Sequence, residues 1–179
     1  MQQSLVMTLL GEDRPGLVDA LASIIADHGG NWLESQLSRL GGQFAGIVRV
    51  EVPPEKEQAL VLALKNLSTR GLNVIVQSDR SGRTSKPHSL NLLEIVGQDR
   101  PGIIRQISHA LAEFGVNVEQ MHTECSSAAM SGETLFKARA QLSIPDSCNV
   151  EELRRTLEKI AADLIVDISL APLQTAAQS

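Results

Sequence analysis

Along this chain, hydrophobic positions follow two alternating periods, and the whole pattern occurs twice. Residues 5–10 are apolar at nearly every position, and so are residues 90–96. Runs of this kind predict central strands buried on both faces. Each is followed by a helical stripe, Leu17, Val18, Leu21, Ile24 and Ile25 in the first case and Ile103, Ile104, Ile107, Leu111 and Phe114 in the second. A further strand opens at Asn31 and at Asn117. The first turns back through Gly41-Gly42, a tight hairpin signal, and the second through a longer loop over residues 126–132. The next strand alternates cleanly, with Phe44, Gly46, Val48, Val50 and Val52, then Phe136, Ala138, Ala140, Leu142 and Ile144, and Pro53 or Pro145 stops it. A second helix follows, marked by Leu60, Leu64 and Leu67 or by Val150, Leu153, Leu157, Ile160 and Leu164. Leu72, Val74 and Val76, and later Val166, Ile168 and Leu170, close each pattern with a strand.

The order is therefore βαββαβ, twice. It predicts an α+β protein of two tandem ferredoxin-like units, each an antiparallel sheet with two helices on one face. The repeat is visible in the residues themselves. Gly11-Glu12-Asp13-Arg14-Pro15-Gly16 returns 86 positions later as Gly97-Gln98-Asp99-Arg100-Pro101-Gly102, and the register holds through Gly29/Gly115 and Asn31/Asn117. The predicted boundaries are a first domain over 1–79, a polar linker over 80–87, a second domain over 88–171 and a flexible tail over 172–179. Pro15 and Pro101 suit a first helical turn, and Gly29 and Gly115 suit left-handed C-caps. Two helices cover only one side of each sheet, so the other side is expected to meet a further surface, from the other domain or another subunit.

The repeated GxDRPG segment joins a strand to a helix N-terminus, where free N–H groups and the positive end of the helix dipole favour an anion. Gly16 and Gly102 would let a ligand approach closely. Asp13 and Asp99 can accept from an ammonium group, and Asn31 and Asn117 offer both donor and acceptor. Together these suit a small zwitterion. The same residues also serve plain turn chemistry, in which the aspartate caps the helix and proline, glycine and asparagine shape the bends. On the residues alone both readings stand.

Charge narrows the choice of partners. Lys and Arg number 16 against 21 Asp and Glu, a net charge of −5, so the basic footprint that grips phosphates is missing and no direct nucleic-acid contact is expected. Trp32, Phe44 and Phe136 are too few aromatics for an RNA-stacking sheet. The N-terminal apolar stretch is too short to span a membrane and lacks a basic leader, so a cytoplasmic protein without membrane contact is expected. Cys125 and Cys148 form no CxxC pair and read as reduced thiols. His28, His88, His109 and His122 are scattered, and no nucleophile–base set is visible. Strand alternation separates Glu119 from His122 and Glu124, which argues against a metal site. No phosphate loop or GxGxxG is present. The expectation is no cofactor, no metal, no catalytic residues and hence no enzyme.

The DRPG turn, the amphipathic helix after it, the G-x-N at the next strand and the βαββαβ order resemble ACT domains, regulatory modules that bind amino acids, often between two copies. The resemblance covers almost the whole chain. Two such domains with GEDRPGLV and RLGGQFAGIVRV are similar to the glycine cleavage system repressor family. That resemblance implies repression through contact with an activator-type transcription factor in response to glycine, without DNA reading, and a homo-oligomer. Carried over, it marks Asp13, Arg14, Pro15, Gly16, Asn31, Asp99, Arg100, Pro101, Gly102 and Asn117 as ligand contacts. Where serine-biosynthetic dehydrogenases of the family carry histidine and asparagine in this turn, this chain has Gly11 or Gly97 and Asp13 or Asp99. The alternative function is an accessory regulatory subunit or sensor for an amino-acid enzyme.

Overall fold

The computed structural model describes residues 2–79, 89–127 and 134–173. The chain divides into two compact units, Met1–Thr84 and Ser85–Ser179. In the first, β1 (Gln3–Glu12) leads to α1 (Leu17–Asp27), β2 (Asn31–Leu40), β3 (Gln43–Val52), α2 (Glu57–Lys65) and β4 (Leu72–Ser78). A 3-10 turn, Asn66–Arg70, prolongs α2. In the second, β5 (Ser89–Gln98), α3 (Ile103–Glu113), β6 (Asn117–Ser127), β7 (Thr134–Ile144), α4 (Val150–Leu164) and β8 (Val166–Pro172) repeat the order. The sheets run β2-β3-β1-β4 and β6-β7-β5-β8, with every neighbouring pair antiparallel. These are the two βαββαβ units that the hydrophobic pattern predicts.

Each unit holds its own aliphatic core. In the first, Leu5, Met7 and Leu9 of β1 and Val48, Val50 and Val52 of β3 pack against Leu21 and Ile25 of α1 and Leu60 and Leu64 of α2. In the second, Leu93 and Ile95 pack with Ile103, Ile107, Leu111, Leu153 and Leu157. Each fully buried side chain of this kind contributes about 1.5–3 kcal/mol. The central strands are not buried on both faces, as their apolar runs predict. Burial alternates along β1 and β5, and Leu10 and Val96 point away from the helices at 53% and 38% exposure. The reason is that two helices shield one face only, so period-2 geometry leaves every second side chain outside.

Helix ends follow backbone chemistry closely. Gly29 (φ 69°) and Gly115 (φ 68°) close α1 and α3 in left-handed geometry. Gly29 N–H donates to Ala26 O and Gly30 N–H to Ile25 O; Gly115 and Val116 donate to Ala112 and Leu111 in the same way. This is a Schellman closure, which satisfies two orphan carbonyls at each end. Pro15 and Pro101, by contrast, lie ahead of the helices and not in their first turns. Gly16 (φ 88°) and Gly102 (φ 97°) are the N-caps, and their left-handed backbone separates each proline from helical geometry. The last strand runs through Pro172, and Leu173 N–H still donates to Leu90 O at 2.8 Å, so the sheet reaches into the segment expected to be tail. The linker over 80–87, most of the loop over 126–132, and the tail beyond 173 lie outside the described residues.

Candidate functional site

The strand-to-helix turn has the same backbone anchor in both units. Asp13 N–H donates to Gly42 O and Asp99 N–H to Thr134 O, both at 2.9 Å, so each turn is pinned to its neighbouring hairpin. The first glycine of the motif serves packing. A Cβ on Gly11 would land on the carbonyl oxygen of Gly71, and one on Gly97 would meet Val166 Cα at 2.8 Å. At that register only a bare backbone lets β4 or β8 start alongside. The last glycine serves conformation: Gly16 has open space around it, and its positive φ is the constraint.

The aspartates do not cap the helices. Neither α1 nor α3 has a side-chain cap. Asp13 is half-buried, and its Oδ2 lies 3.4 Å from Arg39 Nη1 at the end of β2. Asp99 is exposed. Arg14 reaches across to the end of the 3-10 turn, where its Nη2 stands 3.7 Å from the Cβ position of Gly71. Arg14, Pro15, Gly16 and Leu17 there line a cavity of about 170 Å³ with Arg70. In the second unit Arg100 instead donates from Nη2 to Gln98 Oε1 at 3.2 Å.

Asn31 and Asn117 do not join the turns of their own units. Asn31 pairs with Glu51 and so stands level with Ser4, whereas Asp13 lies nine residues further along the parallel strand β1. At about 3.3 Å per residue the separation is roughly 30 Å. The same holds for Asn117, which pairs with Ser143 opposite Leu90. Sequence proximity is misleading here because an entire helix carries the chain back to the other end of the sheet. Asn117 Nδ2 donates to Glu119 Oε1 at 2.8 Å, and both asparagines are exposed.

The helix-free faces of the two sheets differ. On the first, Leu10, Ile47 and Ile75 are exposed around a shallow apolar groove. On the second, Arg139 Nη2 meets Glu94 Oε1 at 3.1 Å and Lys137 Nζ meets Glu124 Oε1 at 3.8 Å, in a cavity of about 520 Å³ that His122 also lines. A bulge between Val118 and Gln120 breaks the alternation assumed for Glu119, and a matching bulge sits between Trp32 and Glu34. Among the described residues no cluster of His, Cys, Asp and Glu is arranged to hold a metal ion. Cys125 and Cys148 are free thiols. Burial, then the Glu152 carboxylate, pushes the Cys148 thiol above its usual range. Among the described residues no helix is long and apolar enough to cross a membrane.

Two ferredoxin-like units in tandem, each with a glycine-flanked acidic turn at a helix N-terminus, define the class of protein. Residues 3–77 and residues 91–137 each match the ACT domain. The chain carries two ACT domains and belongs to that family. A crystal structure of a protein of unknown function from Galdieria sulphuraria is 26% identical, with a TM-score of 0.87 over 97% of this chain and 99% of that one. A candidate glycine cleavage system transcriptional repressor is 18% identical, with a TM-score of 0.70 over 97% and 98%, which is a likeness of fold. Phosphoserine phosphatase SerB2 of Mycobacterium tuberculosis is 23% identical over 171 residues, and the match spans 93% of this chain but 40% of that protein.

Proposed function

We propose that the chain is an amino-acid-responsive regulator that represses the glycine cleavage system by contacting an activator-type transcription factor, with no catalysis and no DNA reading of its own. The observation that carries this is the duplicated turn. Both units hold the acidic segment by the same hydrogen bond and open onto a helix N-terminus, which favours a carboxylate. Likeness in fold to the candidate repressor over nearly the full length of both chains supports the same reading. Glycine is the proposed ligand. Asp13, Arg14, Pro15 and Gly16, or Asp99, Arg100, Pro101 and Gly102, would hold it from one side. Asn31 or Asn117 would reach it only from outside its own unit, because each stands at the far end of its own sheet.

Calorimetric titration of the full chain with glycine tests this directly, followed by the Asn31→Ala and Asn117→Ala variants. Binding of glycine to the native state at about 100 times its Kd adds roughly 2.7 kcal/mol of stability. The variants should keep their fold, since the exposed asparagines are not core, and should lose much of that gain. Absence of heat with glycine and every other proteinogenic amino acid would sink the ligand reading.

A second reading has its own support. The phosphatase match covers almost all of this chain and only part of a larger enzyme, so the chain can also be read as an accessory regulatory module for an amino-acid enzyme. Affinity capture with the full chain separates the two, since one reading expects a transcriptional activator and the other a metabolic enzyme.

A further inference from the structure

We infer that two copies of the chain pair through the helix-free face of the first sheet, about a two-fold axis that lies across the strands between Thr8 and Leu10. Strand pairing arranges this face in rows. One row carries Ile47, Thr8 and Ile75 on β3, β1 and β4, and the next carries Ala45, Leu10 and Asn73 on the same strands. Leu10, Ile47 and Ile75 are 53%, 51% and 62% exposed, and all six residues line an open groove of about 450 Å³. The two rows complement each other in size. The axis reverses position along a strand and keeps the strand order, so it sets each row over the other row of the partner copy. Leu10 then stands over the partner's Thr8, Ile47 over the partner's Ala45 and Ile75 over the partner's Asn73, and the converse holds. Every large side chain meets a smaller one, the pattern by which stacked sheets interdigitate.

Charge follows the same axis. The apolar rows are bounded by Arg49, level with Val6, on one side and by Gln43 and Glu12 on the other. The axis carries Arg49 over the partner's Gln43, one strand away from the partner's Glu12, so the ends of the face attract. The second unit shows that the fold itself does not call for this surface. At the registers of Ile47, Thr8 and Ala45 its sheet has Arg139, Glu94 and Lys137. The same axis there would set Arg139 over a second Lys137, like charge on like in a layer that excludes water. The first face is self-complementary and the second is not. The two apolar rows and the two that bound them span roughly 500 Å² of flat area on a four-stranded sheet. The pair therefore hides about 1,000 Å² in total, the lower end for a specific interface, and a dissociation constant on the order of micromolar follows.

Sedimentation velocity of the full chain from about 1 to about 200 µM, a range that brackets this value, is the test. We expect a reversible monomer–dimer equilibrium. Ile47→Arg installs the residue that the second sheet carries at this register. Circular dichroism should therefore stay native while the affinity of the pair falls at least about tenfold. Leu10→Thr alone should weaken the pair to a similar extent. Thr8→Leu combined with Leu10→Thr exchanges knob and slot about the axis and should restore most of the loss. A chain that stays monomeric over this range would overturn the inference and leave the face to a different partner. A dimer indifferent to Ile47→Arg would overturn it by placing the contact on another surface, and a double variant as weak as Leu10→Thr alone would overturn the axis. The inference stands apart from the glycine reading, since Leu10 and Ile47 lie outside the proposed ligand contacts.

Discussion

Ile165, at φ 57°, occupies in the second unit the left-handed position that Gly71, at φ 77°, occupies in the first. Both residues end a helical segment just before the last strand of a sheet. A β-branched side chain is poorly suited to this region, at a cost on the order of 1–2 kcal/mol. Ile165 is 65% exposed, so removing its side chain loses little burial. Ile165→Gly is therefore expected to stabilise the protein by about 0.5–1 kcal/mol, after allowing for the greater freedom of glycine in the unfolded chain. An unchanged or lower urea midpoint would contradict this account.

Gly11 and Gly97 are expected to be intolerant of even one methyl group. In both, the added carbon meets the backbone of the adjacent strand, which cannot move without breaking ladder hydrogen bonds. Gly11→Ala and Gly97→Ala should each cost about 1–3 kcal/mol, the range for overpacking a fixed site. Chemical denaturation measures this, and a cost near zero would contradict the packing role of the first glycine of the motif.

The Cys148 thiol makes stability depend on alkaline pH. Its pKa is raised in the folded state by burial and secondarily by Glu152. The folded protein therefore holds this proton more tightly than the unfolded chain does. The resulting stabilisation is complete below the ordinary thiol value of 9.0 and is lost as pH rises through the raised one. Urea midpoints measured from pH 8 upward should fall more steeply in the native sequence than in Cys148→Ser. Parallel curves would remove the effect.

Promoter DNA should not be retarded by the purified protein alone at physiological salt. The chain carries 21 acidic against 16 basic residues, and the cationic cavity of the first unit is too small to follow a phosphate backbone. A gel shift that appears only when an activator is added agrees with regulation by contact. A sequence-specific shift by the protein alone does not.

The amino-acid sequence by itself determined the fold and its duplication. Alternation at Val48, Val50 and Val52 and helical spacing at Leu17, Leu21 and Ile25 are local consequences of backbone geometry, and they survive folding unchanged. The Gly29 and Gly115 closures were legible for the same reason, since a left-handed residue at a helix end calls for glycine wherever the helix lies. Arg39, Arg70 and the placement of Asn31 were not legible. Arg39 meets Asp13 from the far end of a hairpin. Arg70 comes to line the same cavity as the start of α1 from a turn more than fifty residues later. Asn31 is carried to the opposite end of the sheet by the helix before it. The divergence of the helix-free faces, with Ile47 at the register where the second sheet has Arg139, likewise emerged only from strand pairing. Periodicity reports which side of its own element a residue occupies. Which residues of distant elements share a cavity, an ion pair or a face depends on strand order and register, and only the tertiary structure decided that.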